Sequence, residues 1–161
     1  MPCADETAEN AFRRGVRLGV DWGKARVGVA ACDADGLLAY PVETIRARDE
    51  AAVFLRLRQL VTEYEAVEVV MGLPVALDGA IKQAARDVGD VAKRLATALP
   101  VPLRVVDERL TTAAADRYMD GLDARNRRRV IDQAAAAGIL ESALSYERNT
   151  GIPPGSVVGG A

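Results

Sequence analysis

Residues 16–32, VRLGVDWGKARVGVAAC, are the stretch that decides the fold. Two short apolar runs rich in valine flank a polar junction at residues 21–24, a pattern typical of buried strands joined by a tight turn. The first run ends at Asp21 and the second ends at Cys32. The stretch therefore predicts two antiparallel strands, at about 15–21 and 25–32, with a carboxylate at the end of the first.

Turn signals and hydrophobic spacing on either side of this stretch predict the remaining elements. The sequence DADG at 33–36 predicts that the second strand forms a hairpin with a third at about 37–44. Apolar residues at helical spacing predict helices at about 47–65 and 80–99. A threonine cap at 111 or 112 and a stop at Gly121 predict a short helix at about 111–119, and a last helix is expected at about 127–147. Two further apolar runs predict strands, at about 67–71 and 103–106.

The order of these elements predicts the architecture. A meander of three antiparallel strands, followed by right-handed crossovers, gives an α/β fold with a mixed five-stranded sheet and helices on both faces. A length of 161 residues favours one domain. We place this domain at residues 15–148, between flexible tails at 1–14 and 149–161, the second of which combines glycine, proline and serine without a strand or helix period.

The composition restricts the chemistry. The absence of histidine excludes Ser-His-Asp and Cys-His catalysis and His-ligated zinc. Two cysteines are too few for an all-thiolate zinc site and are read as reduced thiols. No signal-peptide pattern and no stretch of transmembrane length is present, so we expect a cytoplasmic protein that does not contact a membrane. Because the net charge is only −2, nucleic-acid binding would need locally clustered basic residues.

Three carboxylates stand at conspicuous positions. Asp21 ends the first strand, Glu108 follows the fifth, and Asp132 lies early in the last helix. Carboxylates about 4 Å apart repel by roughly 4 kcal/mol at an effective dielectric near 20, and a divalent cation removes that repulsion. Two Mg²⁺ (or Mn²⁺) ions can activate a water and stabilise the leaving oxygen of a phosphodiester without any histidine. We therefore predict that these acids are the metal ligands and the catalytic residues of one site.

Each acid also has a simpler explanation. Asp21 could accept a hydrogen bond from an amide of the following turn, and Glu108 could pair with a nearby arginine on the surface. Asp132 could stabilise the start of its helix through the helix dipole. Asp107 competes with Glu108, because strand alternation does not say which of the two faces the site. The combination of the three acids, rather than any one of them, favours the metal site.

Basic residues near these acids are the candidate contacts to nucleic acid: Lys24, Arg26, Lys82, Arg109, Arg125, Arg127, Arg128 and Arg129. Lys24 and Arg26 follow Asp21, and the arginine run precedes Asp132, so both groups can contact phosphates. A solvated surface is the alternative explanation of the arginine run. The alanine-rich stretch at 134–138 would let the last helix approach the sheet closely and bring Asp132 to the strand ends.

The chain resembles the YqgF/RuvX family, the RuvC-like branch of the RNase H-like superfamily, over about residues 15–147. Four ordered motifs carry the resemblance: DWGKARVGVA at 21–30, GLP at 72–74 with DG at 78–79, DERLTT at 107–112 and VIDQAA at 130–135. The resemblance implies an RNase H-like fold with Asp21, Glu108 and Asp132 as metal acids. It also implies a nuclease that matures the 5′ end of pre-16S rRNA or resolves Holliday junctions. Arginines at 127–129 stand where the family often has lysines, which keeps the charge.

Three functions are candidates for a chain with these residues. The first is a metal-dependent endonuclease in ribosome biogenesis that acts on pre-16S rRNA, with resolution of four-way DNA junctions in recombination and repair as the alternative substrate. The second is an actin-like kinase or ATPase, which this chain is too short to form and for which it lacks a Walker A sequence. The third is a non-catalytic RNA-binding assembly factor of the same fold. A homodimer would suit a symmetric junction.

Overall fold

Six strands and three helices make up the part of the chain that this computed structural model describes, residues 12–74, 79–107 and 124–159. The strands are β1 Arg17–Trp22, β2 Arg26–Cys32, β3 Ala39–Arg46, β4 Glu68–Leu73, β5 Leu103–Asp107 and β6 Ser156–Val157. The helices are α1 Glu50–Glu63, α2 Gly79–Ala98 and α3 Ala124–Thr150. The short helix predicted at about 111–119 lies outside the described residues.

The strands form one mixed sheet in the order β3-β2-β1-β4-β5-β6. β1, β2 and β3 pair antiparallel, whereas β4 and β5 run parallel to β1. The last residues of the three parallel strands, Trp22, Leu73 and Asp107, therefore lie along one edge, which we call the upper edge. The predicted mixed sheet is confirmed, with one strand more than the five predicted, because β6 pairs antiparallel with β5.

Helices cover both faces of the sheet, as predicted. Alternate strand residues point to opposite faces, so that Leu18 and Val20 pack against α1 and α2, while Val70 and Val106 pack against α3. Helix α1 begins after Asp49, whose carboxylate accepts a hydrogen bond from the backbone N–H of Ala51 at 3.1 Å. None of the helices in the described ranges is long and apolar enough to cross a membrane.

Helix α3 lies directly against the backbone of β1 and β2. A Cβ added at Gly19 would meet the carbonyl oxygen of Ala136 at 2.6 Å, and a Cβ added at Gly28 would overlap the carbonyl of Asp132. On the helix side, Ala134, Ala136 and Ala137 are fully buried. Glycine facing alanine therefore produces the close approach of this helix to the sheet that the sequence predicted, and it fixes the position of Asp132.

Both ends of the described chain are built into the fold, where the sequence predicted tails up to residue 14 and from residue 149. Helix α3 runs to Thr150 and is followed by β6. Between them, Gly155 has a φ of 61°, and any added Cβ would overlap the carbonyl of Val105. This return toward β5 needs only a few residues with the left-handed backbone that glycine adopts, so it produces no strand-like period in the sequence.

A network of five charged side chains anchors these two ends beneath the start of β1 and β4. Arg13 contacts Glu147 at 2.7 Å and Glu68 at 3.1 Å, Arg17 contacts Glu147 at 3.2 Å, and Arg104 contacts Glu68 at 3.2 Å. Both glutamates and Arg17 are 2% exposed. Such a network is stable only when every charge is paired, which explains why Arg13 is held in place although its local sequence is polar.

Candidate functional site

Two of the three predicted metal acids lie on the same face at the upper edge. Asp21 is in direct register with Gly28 across the β1–β2 pair, and residues directly opposite each other in an antiparallel pair point to the same face. Gly28 is also the residue on which the backbone of Asp132 packs. The fold therefore brings Asp21, from the first strand, and Asp132, from the last helix, to one place, and both side chains are half-buried.

Asp132 is engaged by an arginine of the neighbouring strand. The Nε of Arg26 donates to the Oδ2 of Asp132 at 2.7 Å, and the two side chains are 36% and 20% exposed. The sequence predicted that Arg26 contacts phosphate, whereas the structure pairs it with a predicted metal ligand. A cation at Asp132 would therefore have to compete with this guanidinium.

The third acid, Glu108, lies outside the described residues, as does Arg109. The alternation of side chains along β5 nevertheless argues against Asp107, the residue that competes with Glu108. Val106 belongs to the cluster on the α3 face, and Val105 packs against the core on the opposite face. Alternation along the strand then points Asp107 away from the face that carries Asp21 and Asp132.

The donor chemistry fits Mg²⁺ or Mn²⁺, because both cations prefer hard oxygen ligands and carboxylates supply them. Within the described residues no group of three acidic, histidine or cysteine side chains is close enough to hold a metal ion. Two predicted ligands, Asp21 and Asp132, come together there without the third.

The structure describes the side chains of only some of the residues that were predicted to contact phosphate. Lys24 is exposed in the β1–β2 turn, next to Asp21. Lys82 lies in the first turn of α2, and Arg125 and residues 127–129 occupy the first two turns of α3, directly before Asp132. The arginine run is thus inside the helix, which begins at residue 124 rather than at about 127. The phosphate contacts of all these side chains stay predictions.

Sequence reasoning missed Arg46. This exposed residue pairs in register with Arg26 at the end of the β2–β3 hairpin, and two like charges placed opposite each other repel. No carboxylate in the described part of the chain pairs with Arg46, and the same holds for exposed Arg48. A shift of register between Val29 and Ala30 brings Arg46 opposite Arg26, so counting from the turn could not have found the pair.

Comparisons with known proteins agree with this architecture. A family model described as RuvX, Holliday junction resolvase, matches residues 15–146. A protein of Streptomyces coelicolor, named as a proposed pre-16S rRNA nuclease, is 51% identical over 160 residues, which cover 98% of this chain and 96% of that protein. A protein of Cutibacterium acnes with the same name is 54% identical over 137 residues, which cover 83% and 84%.

Among solved structures, RuvC of Thermus thermophilus in complex with a Holliday junction superposes with a TM-score of 0.58 at 12% identity. The match covers 87% of this chain and 99% of that chain. At this identity the similarity is one of fold, and it confirms the predicted RuvC-like, RNase H-like sheet.

Proposed function

The chain belongs to the RuvX family, and from that premise we propose that it is a metal-dependent endonuclease that cleaves pre-16S rRNA during ribosome biogenesis. The observation that carries the proposal is the packing of Asp132 on Gly28, directly across from Asp21. This place lies at the carboxyl ends of parallel strands, where ligands of open α/β sheets bind. The names of the relatives from Streptomyces and Cutibacterium favour pre-16S rRNA as the substrate.

In this proposal Asp21, Glu108 and Asp132 hold two Mg²⁺ (or Mn²⁺) ions. Bound there, such ions would supply an activated water and charge stabilisation at the leaving oxygen of the phosphodiester. Glu108 is preferred to Asp107 because Asp107 belongs to the opposite face of β5. Arg26 orients the Asp132 carboxylate through its 2.7 Å hydrogen bond.

The basic residues around these acids bind the substrate backbone. Lys24 and Arg46 are exposed on either side of Arg26, and the arginines of α3 precede Asp132 along one helix. Charge-assisted contacts of this kind hold phosphates without reading sequence. A cytoplasmic location is part of the proposal.

Resolution of four-way DNA junctions is the second candidate function, because the matching family model is described as a Holliday junction resolvase. In that case a homodimer would place one site on each of two symmetric strands. A non-catalytic RNA-binding assembly factor is the third candidate, and the occupation of Asp132 by Arg26 favours it.

The test offers the purified protein a 5′-extended pre-16S rRNA and a four-way DNA junction side by side, each with Mg²⁺ or with EDTA. We expect cleavage of the rRNA precursor only with Mg²⁺, and its loss in Asp21→Asn while binding persists. The matched control is Asp90→Asn, an exposed acid on α2, which should cleave normally.

Each other outcome selects a different conclusion. Metal-dependent cleavage of the junction alone would select the second function. Binding of the precursor without cleavage in either buffer would select the assembly factor. Cleavage by Asp21→Asn at the rate of the unchanged protein would remove Asp21 from the chemistry and overturn the proposed site.

A further inference from the structure

A cavity of about 360 Å³ lies at the upper edge, on the face of the sheet opposite Asp21. Its lining includes Trp22, Lys24, Pro74, Asp87, Val88 and Val91. Neither the proposed cleavage nor the phosphate contacts of α3 use this cavity. Concave sites with an apolar lining and few polar groups are where proteins bind small groups.

Trp22 connects the cavity to the proposed active site. It follows Asp21 in β1, so alternation along the strand directs the two side chains to opposite faces. Its ring makes an edge contact with Phe54, with centroids 5.9 Å apart and planes at 62°. This contact fixes the orientation of the indole, and the half-buried ring lines the cavity.

The polar side chains that line the cavity differ in how many hydrogen bonds they already make within the protein. Glu50 receives two hydrogen bonds from Arg94, at 2.9 and 2.8 Å. The exposed carboxylate of Asp87 receives one, from the side-chain amide of Gln83 at 2.9 Å. Because a carboxylate has about four acceptor positions, Asp87 can accept further hydrogen bonds. Lys24 lies at the turn that joins the face of Asp21 to the cavity and has no ion pair among the described residues.

We propose that this cavity binds one unpaired nucleobase of the substrate, adjacent to the phosphodiester at Asp21. The inference rests on the proposed function, and it deepens it by defining the substrate as a strand with an unstacked nucleotide next to the cut. The base stacks on Trp22, Asp87 accepts a hydrogen bond from its exocyclic amino group, and Lys24 contacts the phosphate between the base and the cut.

The chemistry of the lining selects this occupant. Unpaired bases bind by stacking on aromatic rings and by hydrogen bonds to their edges. A base inside a duplex exposes neither its face nor its pairing edge, so it must first leave the stack. The carboxylate of Asp87 can only accept hydrogen bonds, so it complements adenine, cytosine or guanine, which carry an exocyclic amino group, better than uracil, which lacks one.

The tryptophan itself provides the assay, because the chain contains only one. Oligonucleotides of adenine, cytosine or uracil, and an abasic strand of equal length, are titrated in EDTA with excitation selective for tryptophan. We expect saturable quenching of the Trp22 fluorescence by the adenine and cytosine strands and weaker quenching by the uracil strand. The abasic strand should not quench this fluorescence, even at concentrations at which a labelled abasic strand is seen to bind.

Two variants test the residues separately by anisotropy of labelled RNA. Trp22→Leu should weaken binding of the adenine strand by roughly ten-fold or more, as loss of a stacked base does, and should leave the abasic strand unchanged. Asp87→Asn changes an exposed side chain, so it should leave the fold intact, and it should reduce the preference for adenine over uracil several-fold. Asp90→Asn, exposed on the same helix, is the matched control and should change neither.

The outcomes separate this inference from the proposed nuclease function. Metal-dependent cleavage that requires Asp21, combined with bound RNA that does not quench Trp22, would overturn the cavity inference alone. Base-dependent quenching without cleavage would uphold the cavity and remove the nuclease. Equal quenching by the abasic strand would show that the cavity does not bind a base.

Discussion

Gly28→Ala tests whether the contact between glycine and helix α3 sets the position of Asp132. The added methyl would overlap the backbone carbonyl of Asp132, and a backbone carbonyl cannot rotate away as a side chain can. Restoring an ordinary carbon–oxygen contact would require α3 to move on the order of 1 Å away from the sheet. Such a shift would also strain the hydrogen bond between Arg26 and Asp132.

The expected loss of stability follows from two opposing effects. Overpacking of a tightly packed contact destabilises by about 1–3 kcal/mol. Replacing glycine by alanine in a regular element recovers about 0.5–1 kcal/mol of backbone entropy. Because the obstructing atom is backbone, we expect a net destabilisation of about 2 kcal/mol. With a urea m-value of about 2 kcal/mol per M, this lowers the midpoint of unfolding by about 1 M.

The assay is urea unfolding followed by circular dichroism, combined with Mg²⁺ binding by calorimetry. The matched control is Gly89→Ala, since a Cβ at this position of α2 meets nothing within 4 Å. That control should be stabilised by about 0.5–1 kcal/mol, as alanine is in a helix interior. Gly28→Ala should lose Mg²⁺ affinity, and Gly89→Ala should keep it.

Two results would refute the reasoning. A Gly28→Ala protein as stable as the unchanged chain would show that α3 does not rest on this glycine. A protein destabilised as expected that still binds Mg²⁺ normally would show that the position of Asp132 does not determine the metal site.

Two further predictions concern charge. Arg46→Gln should raise the free energy of unfolding by about 0.2–1 kcal/mol, because it removes a like-charged cross-strand neighbour. The same variant should bind nucleic acid more weakly and lower the slope of log affinity against log salt by about one. Unchanged binding and salt slope would show that Arg46 does not contact the substrate, and Arg58→Gln on α1 is the control. Glu147→Gln should destabilise by about 3 kcal/mol, because it leaves buried Arg17 underpaired. Burial alone would raise the pKa of Glu147, but hydrogen bonds from Arg13 and the charge of Arg17 hold it below the ordinary value. The contribution of Glu147 to the free energy of unfolding is therefore present above pH ~4.3 and is lost as pH falls through the lowered pKa. The free energies of unfolding in urea at pH 7 and pH 3 should therefore differ less in the variant than in the unchanged protein. An equal difference in both proteins would assign the acid sensitivity to other groups.

Local patterns were sufficient to predict most of the fold. Valine-rich runs on both sides of residues 21–24 predicted β1 and β2, and helical spacing predicted α1 and α2 within a few residues of their observed ends. The alanine run at 134–137 predicted a close helix–sheet contact, and the glycines opposite it confirm that contact. These features lie in contiguous sequence, where periodicity is visible.

Other features depend on contacts between distant residues and leave no local pattern. β6 is held by pairing with β5 across some 50 positions of sequence, as Arg104 with Val157 shows. Arg13 is held by glutamates 55 and 134 residues away. The pairing of Arg26 with Asp132 needs both the strand register and the path of α3. Such long-range arrangements are set by the assembled fold rather than by spacing along the chain.

The charged network that holds Arg13 and Glu147 places both ends of the described chain on the same side of the molecule. Strand β6 runs antiparallel to β5, so the described chain leaves the sheet at the end remote from Asp21, and it also enters there. An affinity handle, a fluorophore or a second domain joined directly before residue 12 or directly after residue 159 would therefore project away from the carboxylates. A molecule tethered to a surface in this way would present its upper edge to a passing strand.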